Sequence, residues 1–380
     1  MIVFTKGIKM KKITYVIHSL QLAGAERLVI DLIDRLYKKY DISIVSIYKS
    51  EDKVGEIKVK EKLENLGIKY KQINKEQGSS KYKTLFLFNK IIKDLNPDII
   101  HAHTFMPNIY SGMRNLFFKK IPTITTIHTG GNDWYKKNAW IMERISFYGI
   151  SKITTVSSYT ESMYRKIMKL YDSKKIITVD NGIDIEKFPI LQQEKLDLKR
   201  KELGLSKEDV LITNVARLVP NKGQDFLIDV IKHLDKRYKL LLVGNQENKN
   251  FYDNLVEKID KVNVKDQVLI LGSRNDINEI LRLSNLFIFP SDYESSGISV
   301  LEAIYTNTSV LCTPLPTVKE FQKQYHNIEL MEKNPLNWAN FIKENINRSN
   351  RDNQLESFSH SLDRVAKNYM EIYEVAKAAK

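Results

Sequence analysis

Residues 286–303 read LFIFPSDYESSGISVLEA, and this stretch decides the fold. It begins with a short apolar run typical of a buried strand, passes through a polar loop, and ends in a pattern typical of a helix. The loop carries one acid, Glu294, and the helical pattern carries a second, Glu302. Between them, Gly297 lets backbone N–H groups at the start of the helix approach a ligand closely. Such a cradle suits a ligand with many hydroxyl groups beside an anion.

The same alternation of strand and helix patterns runs through the whole chain. Helical patterns between the strands include residues 25–39, 82–95, 224–234 and 274–283. Near-continuous apolar strands that alternate with helices indicate parallel sheets covered on both faces. We therefore expect an α/β protein with two doubly wound, Rossmann-like domains. The strand patterns are 13–19, 42–48, 69–73, 98–103, 123–128, 153–157 and 176–179 in the first half, and 211–215, 239–243, 267–271, 286–289 and 309–312 in the second.

A chain of 380 residues is too long for one ordinary hydrophobic core. We expect a first domain over residues 1–182 and a second over 195–352, with the joint near Asn181 and Gly182. A helical tail over 357–380 has apolar side chains at helical spacing and is expected to be a structural helix that packs back on the first domain. Because open parallel sheets bind ligands beyond the carboxyl ends of their strands, the site is expected in a cleft that the two domains face.

Composition places the protein among globular chains, since 42% of its residues are hydrophobic. No apolar run reaches the ~18–20 residues of a membrane span, and nothing near the N-terminus reads as a signal peptide. Cys312 is the single cysteine, which excludes an internal disulfide and favours a cytoplasmic location. Met10 is an alternative to Met1 as the first residue of the natural protein.

The positive charge lies in the first half of the chain. Residues 1–182 hold 32 Lys and Arg against 17 Asp and Glu, whereas residues 183–380 hold 28 against 29. This asymmetry fits either an ordinary solvated surface or attraction to an anionic membrane or a lipid-phosphate acceptor. Two segments, 116–120 and 163–170, have amphipathic patterns that fit a membrane surface or ordinary core packing. No nucleic-acid-binding motif is present, so nucleic acid is not expected as a partner.

Two cations follow the first strand of the second half. Arg217 and Lys222 stand five residues apart on a loop that leads into a helix, and together they can clasp a diphosphate. Glu302 is placed to accept hydrogen bonds from ribose hydroxyls and Glu294 from sugar hydroxyls. These four side chains predict a site for a nucleotide-diphosphate sugar. Donor-site candidates with weaker signals are the strand-to-loop residues Gly244, Ser273 and Arg274 and the loop residue Ser296.

The first half offers a phosphate or acceptor site after its own strands. Gly24 and Ala25 open a helix after the first strand, and small residues there permit close approach of a ligand. His101 and His103 face the same side of a strand, but no third metal ligand has suitable spacing. His103 and His128 are therefore interpreted as cleft residues, with His128 the preferred donor to a sugar hydroxyl or phosphate.

Three motifs are absent from the sequence: an Asp-x-Asp metal motif, a Walker loop and a Gly-x-Gly-x-x-Gly fingerprint. The chemistry is therefore expected to need no metal or other cofactor, with Arg217 and Lys222 neutralising the leaving group.

In chain order, these motifs resemble glycosyltransferase family 4, a family of retaining GT-B enzymes that includes many bacterial capsule, exopolysaccharide and lipopolysaccharide transferases. The resemblance runs from about residue 12 to residue 313, although Ala23 stands where the family usually has glycine and residues 295–296 lack its usual Gly-Phe. The motifs are 22–26 (LAGAE), 127–128 (IH), 181–184 (NGID), 216–218 (ARL) with 222–223 (KG), 243–244 (VG), and 290–291 (PS) through Glu294 to 302–303 (EA).

The resemblance implies roles for particular residues. Arg217 and Lys222 would hold the donor diphosphate, and Glu302 and Glu294 would hold the ribose and the sugar. Gly297 and Ile298 would offer backbone N–H groups, and His128 would lie beside the reacting centre.

The expected function is transfer, with retention, of a hexose or N-acetylhexosamine from a nucleotide-diphosphate sugar, expected to be UDP-linked, to a sugar or lipid-linked acceptor in cell-surface polysaccharide biosynthesis. The enzyme would act in the cytoplasm, peripherally at the inner face of the membrane. Two alternatives remain open: a nucleotide-sugar 2-epimerase of the same fold, and a non-catalytic membrane- or polyanion-binding protein.

Overall fold

The computed structural model describes residues 10–21, 24–76, 78–128, 141–170, 173–346 and 358–376. The chain forms two compact units, Met1–Asn181 with Leu362–Lys380, and Gly182–Ser361. Each unit is a parallel α/β sheet with helices on both faces.

The first unit is built on seven parallel strands in the order β3-β2-β1-β4-β5-β6-β7. The strand order reverses between β1 and β4, which are hydrogen-bonded neighbours. The strands are β1 (Lys12–Ile17), β2 (Asp41–Tyr48), β3 (Lys69–Lys75), β4 (Ile99–His103), β5 (Thr123–Ile127), β6 (Lys152–Thr155) and β7 (Ile176–Thr178). The helices are α1 (Gly24–Leu36), α2 (Lys53–Asn65), α3 (Lys81–Leu95), α4 (Phe105–Phe117), α5 (Ile141–Ser146), α6 (Ser158–Met168) and, from the end of the chain, α14 (Leu362–Val375).

The second unit has six parallel strands in the order β10-β9-β8-β11-β12-β13, with the reversal between β8 and β11. The strands are β8 (Val210–Val215), β9 (Tyr238–Val243), β10 (Val268–Gly272), β11 (Leu286–Phe289), β12 (Val310–Cys312) and β13 (Ile328–Leu330). The helices are α7 (Gln193–Glu202), α8 (Gln224–Ile231), α9 (Lys249–Lys261), α10 (Ile277–Leu283), α11 (Ile298–Tyr305), α12 (Pro316–Gln322) and α13 (Pro335–Asn345).

Alternating side chains of the central strands supply the two cores of the first unit. Tyr15 and Ile17 of β1 belong to the core shared with α1, α2 and α14, whereas Val16 belongs to the core shared with α3. Both faces of the sheet are therefore apolar, which explains why the strands read as continuous hydrophobic runs. The apolar side chains of α14, among them Val365 and Tyr369, are buried in this unit.

The predicted α/β architecture is confirmed, and every strand predicted from the sequence is present within two residues of its expected ends. One strand, β13, was not predicted. Of the two interpretations of residues 163–170, the structure supports core packing, because Ile167 and Leu170 pack against the core around Ile127 and Ile153. Among the described residues, no helix is long and apolar enough to cross a membrane.

Candidate functional site

The loop that follows β11 is held firmly against the second unit. The Thr317 hydroxyl donates to the carbonyl oxygen of Glu294 at 3.2 Å, and the Thr313 hydroxyl donates to the carbonyl oxygen of Ser291 at 2.6 Å. The loop ends at Gly297, the N-cap residue of α11. These contacts fix the position from which the Glu294 side chain leaves the backbone.

Lys222 and Glu294 meet at the point where the strand order of this sheet reverses. Lys222 ends the short 3₁₀ helix Pro220–Lys222 after β8, and its Nζ lies 2.6 Å from Oε2 of Glu294. The lysine residue is only 9% exposed, and its Nζ also lies 5.5 Å from the centre of the Phe289 ring. The structure thus places a nearly buried cation and an acid at the position where open α/β sheets bind ligands.

Close backbone packing joins the two loops that carry this pair. The N–H of Asp292 donates to the carbonyl oxygen of Asn221 at 2.9 Å. Gly223 has a φ of 70°, and a Cβ on it would lie 2.5 Å from the carbonyl oxygen of Pro290. Only glycine allows this approach, so the sequence Lys222-Gly223 fixes the distance between the lysine and the β11 loop.

Arg217 lies on the same loop as Lys222 but is bound differently. Its guanidinium pairs with Glu247, and both side chains are about half exposed, at 59% and 48%. Gly244, at the end of β9, brings these segments together, since a Cβ there would lie 1.9 Å from the carbonyl oxygen of Ala216. Arg217 lies on the loop after β8, as the sequence indicates, and its acidic partner Glu247 was not predicted from the sequence.

The other donor-site candidates lie around the same sheet edge or on neighbouring loops. Glu302, Ser296 and Ile298 are half-buried, and Glu302 belongs to α11. Ser273 is exposed after β10. Arg274 pairs with Asp276 at 2.5 Å and with Glu202 at 2.8 Å, so its guanidinium is engaged by its own surroundings.

In the first unit, the candidate residues lie at the carboxyl ends of β1, β4 and β5. Gly24 and Ala25 begin α1, and a Cβ on Gly24 would meet no atom of the described residues within 4 Å. Leu22 and Ala23 of this motif, and Gly130 and Gly131 after His128, lie outside the described residues.

Two histidines of this edge contact one another. Nδ1 of His103 lies 3.0 Å from Nε2 of His128, which follows β5. His103 is fully buried, whereas His128 is half-buried. Burial lowers the pKa of His128 to about 4, so the ring is neutral near pH 7.

Behind this pair lies a buried polar network that sequence reasoning missed. His101 bonds through Nδ1 to the Tyr373 hydroxyl at 2.7 Å and through Nε2 to the Thr126 hydroxyl at 2.8 Å. The Tyr373 hydroxyl also lies 2.7 Å from that of Tyr15. The network ties α14 to the central strands, and burial lowers the pKa of His101 to about 3.

No group of three or more His, Cys, Asp or Glu side chains is arranged to hold a metal ion within the part of the chain that the structure describes. The ring centres of His101 and His103 lie 4.1 Å apart on one face of the sheet. This agrees with the prediction that alternate residues of the strand face the same side. Both nitrogens of His101 bond to hydroxyl groups, so this ring is engaged in the network.

Comparison with known proteins gives relatives of similar length. The chain is 29% identical over 232 residues to the UDP-Gal:alpha-D-GlcNAc-diphosphoundecaprenol alpha-1,3-galactosyltransferase of Escherichia coli, an alignment that spans 58% of this chain and 59% of that protein. The chain thus aligns with less than two thirds of that relative. It is 23% identical over 374 residues to the capsular polysaccharide biosynthesis glycosyltransferase CapH of Staphylococcus aureus, covering 96% and 99% of the two chains.

A similar solved structure is that of Anabaena HepE in complex with UDP and glucose. It superposes with a TM-score of 0.81 at 17% identity and covers 96% of this chain and 100% of that one. At this identity the likeness concerns the fold alone, and it confirms the expected GT-B architecture.

Two family models match consecutive parts of the sequence. Residues 22–187 match the model described as Glycosyltransferase Family 4, and residues 196–360 match the model described as Glycosyl transferases group 1. These two matches together span most of the chain, which therefore belongs to the glycosyltransferases, with a family 4 domain followed by a group 1 domain.

Proposed function

We propose that the protein is a retaining hexosyltransferase of cell-surface polysaccharide biosynthesis. It transfers a hexose or N-acetylhexosamine from a UDP-linked donor to a sugar or lipid-linked acceptor. The second unit holds the donor and the basic first unit holds the acceptor. The reaction takes place on the cytoplasmic side and uses no metal ion.

The observation that carries this proposal is the ion pair of Lys222 and Glu294. A nearly buried ammonium at the reversal of the sheet is a ready partner for a diphosphate oxygen. The neighbouring carboxylate accepts hydrogen bonds from hydroxyl groups of the sugar attached to that diphosphate. One cation and one acid thus match the two chemically different ends of a sugar diphosphate.

The proposed reaction balances without a further reactant. The acceptor hydroxyl oxygen bonds to the anomeric carbon on the face from which the diphosphate departs. The bond between that carbon and the phosphate oxygen breaks, and the departing diphosphate takes the proton of the acceptor hydroxyl. Lys222 and Arg217 stabilise the negative charge that develops on the diphosphate, and His128 donates a hydrogen bond beside the reacting centre.

The names of the relatives support the choice of substrates. The Escherichia coli relative is named for a UDP-linked galactose donor and a diphosphoundecaprenol-linked acceptor, and the Staphylococcus aureus relative for capsular polysaccharide. We infer by analogy a UDP-linked donor and a lipid-linked acceptor for this chain.

We further propose that the first unit binds an anionic membrane through an aromatic patch, defined as Tyr82, Phe86, Phe117 and Phe118. Tyr82 is 80%, Phe86 64% and Phe117 65% exposed, and the rings of Phe86 and Phe118 contact edge to face, with centres 5.7 Å apart. These side chains join α3 to the end of α4. Five exposed lysines flank the patch: Lys81, Lys83, Lys90, Lys119 and Lys120. Aromatic rings between lysines suit the boundary between anionic headgroups and acyl chains.

A screen of UDP-, GDP- and ADP-sugars tests the proposed function. Thermal shifts identify the donor that stabilises the protein, and incubation of that donor with and without an undecaprenyl-diphosphate sugar then follows the products. The proposal expects stabilisation by UDP-sugars and a new glycosidic bond that requires the acceptor. A new nucleotide sugar formed without acceptor would establish an epimerase, and stabilisation by no nucleotide sugar would establish a non-catalytic protein.

A further inference from the structure

The contact between His103 and His128 restricts where the protons of both rings lie. A hydrogen bond between two imidazole nitrogens needs one N–H and one lone pair. Here the two atoms are Nδ1 of His103 and Nε2 of His128, 3.0 Å apart. The proton between them belongs either to His103 or to His128, and this choice decides the tautomer of both neutral rings.

The other nitrogen of His103 distinguishes the two arrangements. Its Nε2 is buried and has no hydrogen-bond partner among the described residues. If His128 donated, neutral His103 would carry its proton on Nε2 and would bury an N–H group without an acceptor. If His103 donates, Nε2 carries only a lone pair. Buried N–H groups without a partner are rarer in proteins than acceptors that lack one, so the second arrangement is favoured.

We propose that His103 is a positioning residue that donates from Nδ1 to Nε2 of His128 and thereby holds His128 as the tautomer with its proton on Nδ1. None of the described residues pairs with Nδ1 of His128. His128 then presents an N–H group as a neutral hydrogen-bond donor to an oxygen atom of a sugar or phosphate. This assignment rests on the proposed function only for the identity of that oxygen.

Packing around His103 keeps its ring in the donating orientation. Its ring stacks on Tyr15 with centres 5.8 Å apart and also contacts the ring of His101 at 4.1 Å. His101 is in turn held at both nitrogens by Tyr373 and Thr126. Among the described residues, His103 has a hydrogen-bond partner only at Nδ1, which bonds to His128, and the C-terminal helix α14 supports this arrangement through Tyr373.

Both rings stay neutral at physiological pH. Burial and the nearby histidines lower the pKa of His103, and burial lowers the pKa of His128 to about 4. Protonation of His128 on both nitrogens would place its Nε2–H against the Nδ1–H of His103 and break this arrangement. Neutrality is therefore what allows one ring to set the tautomer of the other.

Nitrogen-15 NMR of the imidazole rings in the ligand-free full-length protein at pH 7 tests the tautomer directly. The His128 signals are assigned by their loss in His128→Asn. We expect a protonated Nδ1 and an unprotonated Nε2 for His128 in the wild type. A proton on Nε2 of His128 would overturn the proposal, and this result does not depend on what the enzyme transfers.

Two substitutions of His103 extend the test. His103→Asn keeps an N–H donor close to the position of Nδ1, whereas His103→Leu removes it. We expect the Asn variant to keep the His128 tautomer and turnover within about three-fold, and the Leu variant to lose the tautomer and roughly 10- to 100-fold in kcat. KM for the donor stays unchanged, since other residues bind it.

Thermal unfolding and UDP affinity verify that both variants are folded. An equal loss of kcat in the two variants, with the His128 tautomer intact in both, would contradict a positioning role. If the wild type transfers no sugar at all, the proposed function fails while the NMR result still decides the tautomer.

Discussion

The ammonium group of Lys222 lies 2.6 Å from a carboxylate oxygen of Glu294, although 72 residues separate them in the sequence. The two loops that carry these side chains are joined by a backbone hydrogen bond between Asp292 and Asn221. The pair therefore follows from the parallel pairing of β8 with β11 and from Gly223, whose missing Cβ lets the loops touch. A ligand that binds here meets both groups already in place.

Glu294→Gln tests whether the two residues have different roles, with Glu294 binding the sugar and Lys222 binding the diphosphate. The amide lacks the negative charge that accepts sugar hydroxyls, so we expect kcat/KM for the UDP-sugar to fall roughly 10- to 100-fold, which corresponds to about 1.4–2.8 kcal/mol. Affinity for UDP alone should be unchanged or higher, because Lys222 loses its acidic partner. Steady-state kinetics and calorimetry measure the two quantities. A parallel loss of UDP affinity and turnover would contradict the assignment.

Glu247→Gln tests the unexpected partner of Arg217. Because Glu247 competes with a diphosphate for the guanidinium, its removal should tighten UDP binding about two- to five-fold, a modest effect since both side chains are half exposed. Calorimetric titration with UDP measures the change, and Asp253→Asn, which breaks the exposed pair with Lys249, is the control. Weaker binding by Glu247→Gln would show that Glu247 supports the site instead of competing with it.

Gly244→Ala should destabilise the second unit strongly. Its added Cβ would lie 1.9 Å from the carbonyl oxygen of Ala216, which is backbone and cannot rotate away. We expect a loss above about 3 kcal/mol in the free energy of unfolding. Gly204→Ala is the matched control, because Gly204 also has a positive φ but open space around it, and should cost only about 1–2 kcal/mol. Urea unfolding compares them, and equal losses would refute the clash.

Stability should fall as the pH drops from 6.5 towards 4. In the folded protein, burial lowers the pKa of His101 to about 3 and that of His128 to about 4. In this window the unfolded chain binds protons that the folded chain does not, so acid favours unfolding. Each such histidine adds a slope of about 1.4 kcal/mol per pH unit. Urea unfolding of His101→Asn should show a shallower slope than wild type.

Exposed His233 supplies the control for this pH series, because His233→Asn leaves the buried network intact. The account of the histidines fails if wild type and His101→Asn lose stability with the same slope between pH 6.5 and 4.5.

Membrane binding should depend on the aromatic patch. With Phe86→Ser and Phe117→Ser combined, we expect about ten-fold weaker binding to vesicles that contain anionic lipid, since two exposed rings lose their contact with the acyl region. Tyr148→Ser is the control, because Tyr148 is 69% exposed in the same unit but outside the patch. Vesicle flotation at low and high salt measures the binding. Wild-type protein that stays unbound would refute the surface.

The sequence predicts the strands well because their signal is local. The apolar run Leu286–Phe289 is bounded by polar residues and a proline, and the observed strand has these ends. Strand β13 has only three residues, with Glu329 exposed in the middle, and so resembles a loop. Its place in the sheet comes from pairing with β12, which no local pattern records.

Pairings between side chains were harder to predict than their positions. Sequence reasoning placed Lys222 and Glu294 after two strands of the second half but indicated neither that these strands are neighbours nor that the two side chains form an ion pair. It placed His103 and His128 on one edge, yet their ring contact depends on the orientations of both side chains. The partner of Arg217 comes from the loop after β9, 30 residues away, and could not be read from spacing.

Calorimetric titration of UDP into wild-type protein, Lys222→Ala and Lys258→Ala tests the central claim most directly. Lys258 forms an ion pair with Asp229 on helices away from the site and controls for the loss of a lysine. The account predicts that wild type and Lys258→Ala bind UDP equally. Lys222→Ala should bind at least about ten-fold more weakly and lose turnover by a similar factor without unfolding. Equal affinity of Lys222→Ala and wild type, or no binding of UDP by the wild type, would contradict it.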